Sequence, residues 1–283
     1  MTFRHLRFRS LIILVAFPLT SCKKAVKPPS GGAIAVLIDR TLSVSAHRIG
    51  EYPSYFNGSV AGSLHPGERV LIESISDQST LSDPPFRIVD TTLPGIKAPE
   101  WTFNDDYQSY ARKCHVALAP QLPAFDSAVA EVKKRTASAF VPDHLASRSY
   151  ILDGIEDVSE FLNHQTGAKV LVLFTDGIED SSEYGKTIKF DSPDFWRVER
   201  ADALIAQLSS QHRIPNLAGT EVYFVGAAAA RPEQFRNNQS FWQAYFKAAG
   251  IGPGHLHYGH QPSWEESPAP ANFESAMCNS ASP

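Results

Sequence analysis

The chain has 283 residues, of which 43% are hydrophobic and 20% are charged, and this ordinary globular composition excludes a disordered or collagen-like protein. Lysine and arginine number 26 against 30 aspartates and glutamates, so the net charge of −4 argues against a nucleic-acid binder. The 3 cysteines are too few for a disulfide-dense scaffold or a four-thiolate zinc site.

The first 21 residues have the layout of a secretory signal peptide. Arginines precede an apolar run at 11–19, which is too short to span a bilayer as a helix. The motif LTSC at 19–22 resembles the lipobox of bacterial lipoproteins, in which the chain is cut before a cysteine that carries a diacylglycerol. The resemblance implies a lipid anchor on Cys22 and, because Lys23 rather than aspartate follows, an outer-membrane location facing the periplasm. The alternative is a plain signal peptide with an incidental cysteine.

Beyond the leader the composition divides the chain into a tether, a domain and a tail. Residues 22–32 are rich in proline and glycine and form the predicted tether. Residues 33–262 alternate short apolar runs with longer amphipathic stretches, which is typical of one folded domain. Residues 263–283 are rich in proline, serine and alanine and predict a C-terminal tail on the surface.

Within the domain, strands are predicted in chain order at 33–38, 70–76, 86–90, 170–174, 221–225 and 255–258. Helices are predicted at 104–135 with a break at Pro120 and Pro123, from Ser149 onward, at 198–210 and at 232–249. The first strand is apolar throughout, as in a strand covered on both faces, and the third looks like an edge strand. This alternation predicts a doubly wound α/β fold with a largely parallel six-stranded sheet flanked by helices.

Two cysteines remain for pairing once Cys22 is assigned to the lipid. Cys114 and Cys278 would lie in an oxidising compartment, where a disulfide between them would hold the tail against the domain. Two separate thiols are the alternative.

Polar side chains follow the first and fourth predicted strands. Asp39, Thr41 and Ser43 come after the first strand, Asp176 comes after the fourth, and Ser149 begins the helix between them. With the strand order 3-2-1-4-5-6, these two strands are neighbours at the switch point, beyond which ligands bind in open parallel sheets. Carboxylates and hydroxyls without histidine or thiol suit Mg²⁺, or Mn²⁺ or Ca²⁺, better than zinc or copper.

The motifs D-x-T-x-S and T-D-G on these strands resemble the von Willebrand factor type A (vWA) domain and its metal-ion-dependent adhesion site (MIDAS). HPGERVLIESI at 65–75 and FWQAYFKAAGI at 241–251 resemble further segments of that family. The resemblance implies metal ligation by Asp39, Thr41, Ser43 and Asp176, with Ser149 in place of the family's loop threonine. Thr41 replaces a serine of the family pattern, and Tyr150 replaces the aspartate that usually follows the loop threonine.

The resemblance implies a binding module rather than an enzyme, whose metal takes an acidic side chain from an envelope or extracellular protein. A Mg²⁺-dependent phosphatase or hydrolase of haloacid-dehalogenase type is one alternative, although Thr41 stands where that family has its second aspartate. A metal-free vWA scaffold is another, favoured by Tyr150. Helix N-capping is the structural alternative for Asp39 and Asp176. Glu179 and Asp180 are expected in a solvated turn, and the alternative is that they line the rim of the metal site and set the field around the metal.

Overall fold

The computed structural model describes residues 32–75, 87–102, 106–141, 146–181, 187–192, 194–198, 200–264 and 278. The leader with Cys22, most of the tether and most of the C-terminal tail lie outside these residues, so the expectations for them stay predictions. Within the described ranges, no helix combines the length and the apolar character needed to cross a membrane.

The domain is an α/β structure whose strands and helices alternate along the chain. The strands are β1 (Ala33–Asp39), β2 (Arg69–Ile75), β3 (Arg87–Thr92), β4 (Lys169–Phe174), β5 (Asp180–Ser181), β6 (Ile188–Lys189), β7 (Thr220–Val225) and β8 (Leu256–Gly259). The helices are α1 (Ala46–Tyr55), α2 (Tyr107–Leu118), α3 (Leu122–Ala137), α4 (Ile151–Asn163), α5 (Phe195–Val198), α6 (Ala201–Ser210) and α7 (Pro232–Ala248).

Six of the strands form one mixed, mostly parallel sheet in the order β3-β2-β1-β4-β7-β8. This is the order 3-2-1-4-5-6 of the six predicted strands, so the predicted fold class is confirmed. β3 is an edge strand, as expected, and it pairs antiparallel with β2, whereas the other neighbours are parallel. The ribbon of β5 and β6 was not predicted, because two-residue strands leave no periodic pattern in a sequence.

Helices cover both faces of the sheet, as the wholly buried β1 requires. Its residues Ala33, Ala35 and Leu37 pack with α4, α6 and α7 on one face. Its alternate residues, including Ile34 and Val36, pack with α1 and α3 on the other face. The period of two in a strand therefore divides the core into two layers and leaves the loops at the strand ends free to carry polar groups.

Helix α1 was not predicted, and its sequence explains why. Gly50 and Pro53 both stand inside it, and both residue types disfavour a helix interior. Packing outweighs this weak local preference, because Ile49, Tyr52 and the following Phe56 are buried against the sheet. The predicted break near Pro120 is confirmed, since α2 ends at Leu118 and α3 begins at Leu122.

A disulfide joins Cys114 on α2 to Cys278 in the C-terminal tail, across a sequence separation of 164 residues. Both residues are buried in a small apolar cluster with Tyr110 and Leu118. Nearer the domain, the tail residue Trp264 stacks on Tyr223 of β7, with ring centroids 4.3 Å apart.

Candidate metal centre

The candidate site lies at the carboxyl edge of the sheet, where β1 and β4 end side by side. Ile38 pairs with Phe174 at the last register position of these two strands. The segment before Ser149 lies next to the loop that follows β1. Leu42 N donates to Ala146 O at 3.0 Å, and Ala146 N donates to Arg40 O at 2.9 Å. Three separate segments of the chain therefore meet at one edge.

Asp39 is fully buried at the centre of this junction, and both of its carboxylate oxygens accept hydrogen bonds. Oδ1 accepts from the backbone N of Thr41 at 3.1 Å and from its Oγ1 at 2.6 Å. Oδ2 accepts from Ser149 Oγ at 2.9 Å and from Thr175 Oγ1 at 2.7 Å. Burial raises the pKa of Asp39 overall, although these hydrogen bonds act in the opposite direction.

Asp176 is also buried, but its two oxygens differ. Oδ1 accepts a hydrogen bond from Ile178 N at 2.9 Å, whereas Oδ2 is buried and accepts none from the described residues. Burial first, and the nearby charge of Asp39 second, raise the pKa of Asp176 to about 7. The Ser43 hydroxyl and Arg48 are close enough to lower that pKa in part. The site therefore holds two neighbouring acids that disfavour each other's ionisation.

The structure brings all five predicted site residues to this edge. Thr41 and Ser149 are each 1% exposed, like the nearly fully buried aspartates, whereas Ser43 is on the surface. Thr41 Oγ1 and Ser43 Oγ are 3.0 Å apart, so a row of oxygens runs outward from Asp39 to solvent. Neither aspartate is a helix N-cap, and the structural alternative considered for them is therefore wrong: Ser45 caps α1, which follows β1, and the next described helix after β4 is α5, which begins only at Phe195.

This arrangement fits a small, hard divalent cation. The donors are carboxylate and hydroxyl oxygens, which Mg²⁺ prefers, and one or two carboxylates suffice because that ion keeps several waters. Asp176 Oδ2 is a buried acceptor with no donor among the described residues, and a cation would satisfy it. No cluster of three or more His, Cys, Asp or Glu suited to a metal occurs in the described part of the chain, so the hydroxyls would have to complete the ligand set.

Sequence reasoning missed three residues of the site. Thr175 was considered only as the first residue of the T-D-G motif. Its hydroxyl donates a hydrogen bond to Asp39 Oδ2 at 2.7 Å and accepts one from Gly177 N at 3.1 Å. Tyr52 lies on the unpredicted α1 and is 2% exposed; burial first, then the charges of Asp39 and Asp176, raise its pKa. Arg48 on the same helix donates to Gly226 O at 2.6 Å. Thr175 could have been predicted as a site residue because it is a polar residue directly after a buried strand. No local sequence motif identifies Tyr52 or Arg48.

The expectation of a solvated turn around Glu179 is wrong, because this side chain is completely buried. Its Oε2 accepts from Leu152 N at 3.1 Å in the first turn of α4. The turn is covered because Phe190 N donates to Glu179 O at 3.0 Å and Asp180 N donates to Ser149 O at 2.9 Å. Burial raises the pKa of Glu179 to about 8. Glu179 therefore fixes the start of α4, which follows the site residue Ser149, instead of facing solvent.

No protein-family model matches the chain, and no curated protein matches it. Among solved structures, proximal thread matrix protein 1 from the mussel byssus is similar at 12% identity and a TM-score of 0.36, over 78% of this chain and 46% of that one. The human COPII-coat protein Sec24c is similar at 13% identity and a TM-score of 0.33, over 79% of this chain and 33% of that one. The chain therefore spans less than half the length of either protein, and likenesses of this degree carry no argument about function.

Proposed function

We propose that this protein is a lipid-anchored lipoprotein of the bacterial cell envelope whose vWA-type domain binds a protein partner through a divalent cation. The observation that carries the proposal is the pair of buried acids, Asp39 and Asp176, at adjacent strand ends, with the Oδ2 atom of Asp176 lacking a donor among the described residues. Two buried carboxylates side by side are costly without a counter-charge, and a cation would supply it.

Some of the site residues would bind this cation directly, and others would orient those ligands. Thr41 donates its hydroxyl proton to Asp39, which leaves the lone pairs of its oxygen for a cation, and Ser43 lies 3.0 Å farther out. Asp176 would bind through its free Oδ2. Asp39 and Ser149 would act mainly by orienting these groups, since both oxygens of Asp39 already accept hydrogen bonds. When bound, the cation would supply positive charge and an open position for a carboxylate of the partner.

A binding role is favoured over catalysis by the residue at position 41. A hydrolase of haloacid-dehalogenase type would need an acid there to protonate the leaving group. Thr41 has a hydroxyl, and that hydroxyl is committed to Asp39 at 2.6 Å. The proposed partner is therefore an envelope or extracellular protein that offers an acidic side chain.

The first test is the thermal stability of the purified protein in EDTA and in millimolar Mg²⁺, Mn²⁺ or Ca²⁺. A cation at about 100 times its dissociation constant stabilises the folded state by about 2.7 kcal/mol, which is about 5–10 °C for a domain of this size. Asp176→Asn keeps the shape of the side chain and the acceptor for Ile178 N, but removes the free anionic oxygen, so the shift should disappear.

Thr41 offers a matched pair of controls for this test. Thr41→Ser keeps the hydroxyl and should keep the shift, whereas Thr41→Ala should lose most of it. Absence of a shift in the wild-type protein, or an equal shift in Asp176→Asn, would overturn the metal site.

The anchor is tested separately at Cys22. The wild-type protein should incorporate a labelled fatty acid and sediment with membranes, and Cys22→Ser should abolish the labelling, because the thiol is the proposed site of acylation. Equal labelling of both proteins would contradict the lipoprotein assignment without bearing on the metal site.

A further inference from the structure

An open basic groove lies directly beside the candidate metal centre. It is a cavity of about 560 Å³ between α1 and the segment that joins β7 to α7, and its lining includes Arg48, Arg231 and Arg236. The backbone connects it to the site, because Ala228 N donates to Asp176 O at 3.0 Å. A ligand that reached the cation could therefore extend into this groove.

Arg48 is close enough to Asp176 to lower its pKa, but the other two arginines of the groove have no carboxylate partner among the described residues. Arg231 and Arg236 are exposed, and neither forms an ion pair with another described residue. Of the acids nearby, Glu51 is engaged by His260 Nε2 at 3.2 Å, and Glu233 lines a neighbouring cavity instead. Three arginines in one concavity of a chain with a net charge of −4 make a local positive field against an acidic background.

The start of α7 adds to this field. This helix has 17 residues and begins at Pro232, so the positive end of its dipole faces the segment that lines the groove. Its N-cap residue, Arg231, makes no side-chain capping hydrogen bond, although the first turn itself carries the acidic Glu233.

We propose that this groove binds further carboxylates of the same partner segment that supplies an acidic side chain to the cation. The partner would then present an acidic peptide with at least two carboxylates, one for the metal and the others for Arg48, Arg231 and Arg236. This inference rests on the proposed function. The cation would give the contact its metal dependence, and the arginines would select acidic segments over single acids.

The test uses the purified full chain and two fluorescent peptides, one with a run of glutamates and one with a single glutamate among glutamines. In millimolar Mg²⁺ the glutamate run should bind more tightly, and high salt should weaken it more. The double variant Arg231→Gln/Arg236→Gln should bind that peptide about three- to tenfold more weakly, since exposed charge pairs contribute little each. Its affinity for the single-glutamate peptide and its thermal shift with Mg²⁺ should be unchanged.

Arg112→Gln is the matched control, because this arginine is exposed on α2 and does not line the groove. Equal losses in the control and the double variant, or no loss in the double variant while the Mg²⁺ shift persists, would overturn the groove and leave the metal site standing. Conversely, absence of the Mg²⁺ shift together with arginine-dependent peptide binding would overturn the metal site and support the groove as an anion site on its own.

Discussion

Replacing Glu179 by glutamine should remove a large part of the pH dependence of folding stability. This side chain is completely buried beneath the first turn of α4, and burial raises its pKa from 4.5 to about 8. The hydrogen bonds from Ser181 and Leu152 lower the pKa in part, whereas the charge of Asp153 on α4 raises it further. Tyr245 on α7 faces the same group, and its own pKa is raised by burial first and then by the charges of Glu156 and Glu179.

The sign follows from comparing the two states. Between pH 4.5 and about 8 the folded protein holds a proton on Glu179 that the unfolded chain has released, so this group destabilises the fold increasingly as the pH rises. Each unit of pKa difference corresponds to about 1.4 kcal/mol, so the contribution lost across the whole interval is about 4–5 kcal/mol. Glutamine keeps an acceptor for Leu152 N but does not ionise. Its amide also adds two N–H groups, which shift the stability by an amount that does not depend on pH.

The assay is urea unfolding of the wild-type protein and Glu179→Gln at a series of pH values. The difference in unfolding free energy, variant minus wild type, should grow by about 3 kcal/mol between about pH 5.5 and about pH 7.5. Taking this difference cancels the titration of all groups that the two proteins share. Glu160→Gln, at an exposed position of α4, is the control for replacing a glutamate that is not buried. A difference for Glu179→Gln that does not change with pH would refute the reasoning from burial.

Two further predictions concern the tail and the backbone at the site. Replacing Cys114 and Cys278 by serine should lower the unfolding free energy by up to about 5 kcal/mol, which is the chain-entropy value for a loop of 164 residues. In urea unfolding, a reductant should lower the unfolding free energy of the wild-type protein by a similar amount and leave that of the variant unchanged. Gly226→Ala should cost about 3 kcal/mol or more, because at φ +99° the new Cβ would lie 2.4 Å from the Tyr52 hydroxyl oxygen. Gly219→Ala is its control: φ is also positive, at +76°, but no atom lies within 4 Å, so about 1 kcal/mol is expected, and equal losses would contradict the steric argument.

The burial of β1 on both faces could be predicted because its cause is local. A strand buried on both faces must be apolar at every position, and β1 carries that pattern from Ala33 to Ile38. Burial that depends on a distant segment of the chain produces no pattern in the local sequence. Glu179 stands in an acidic turn, and only the cover supplied by Phe190 and by α4 removes it from water. Similarly, α1 forms despite Gly50 and Pro53, since its stability comes from packing on the sheet.

The same distinction applies to the candidate site. Asp39, Thr41, Ser43 and Asp176 could be brought together from the sequence because they follow adjacent parallel strands, whose carboxyl ends share one edge. Ser149 was included among the predicted ligands because of the resemblance to the vWA family. Arg48 and the other groove arginines could not be found in this way, since they come from α1 and from the start of α7, and only the folded chain makes them neighbours.

The two aspartates also differ in how much change each can tolerate. Both oxygens of Asp39 accept hydrogen bonds, from Thr41, Ser149 and Thr175, so an amide there would place N–H against a hydroxyl proton. Asp176 accepts from Ile178 N through Oδ1 and lies within reach of the Ser43 hydroxyl, and its Oδ2 has no hydrogen-bond partner among the described residues. Loss of metal binding in Asp176→Asn would therefore report on the cation, whereas a defect in Asp39→Asn would combine the cation with the loss of two hydrogen bonds, because the amide nitrogen replaces one oxygen and each oxygen accepts two. For this reason the position with fewer internal hydrogen bonds is the better probe of the proposed function.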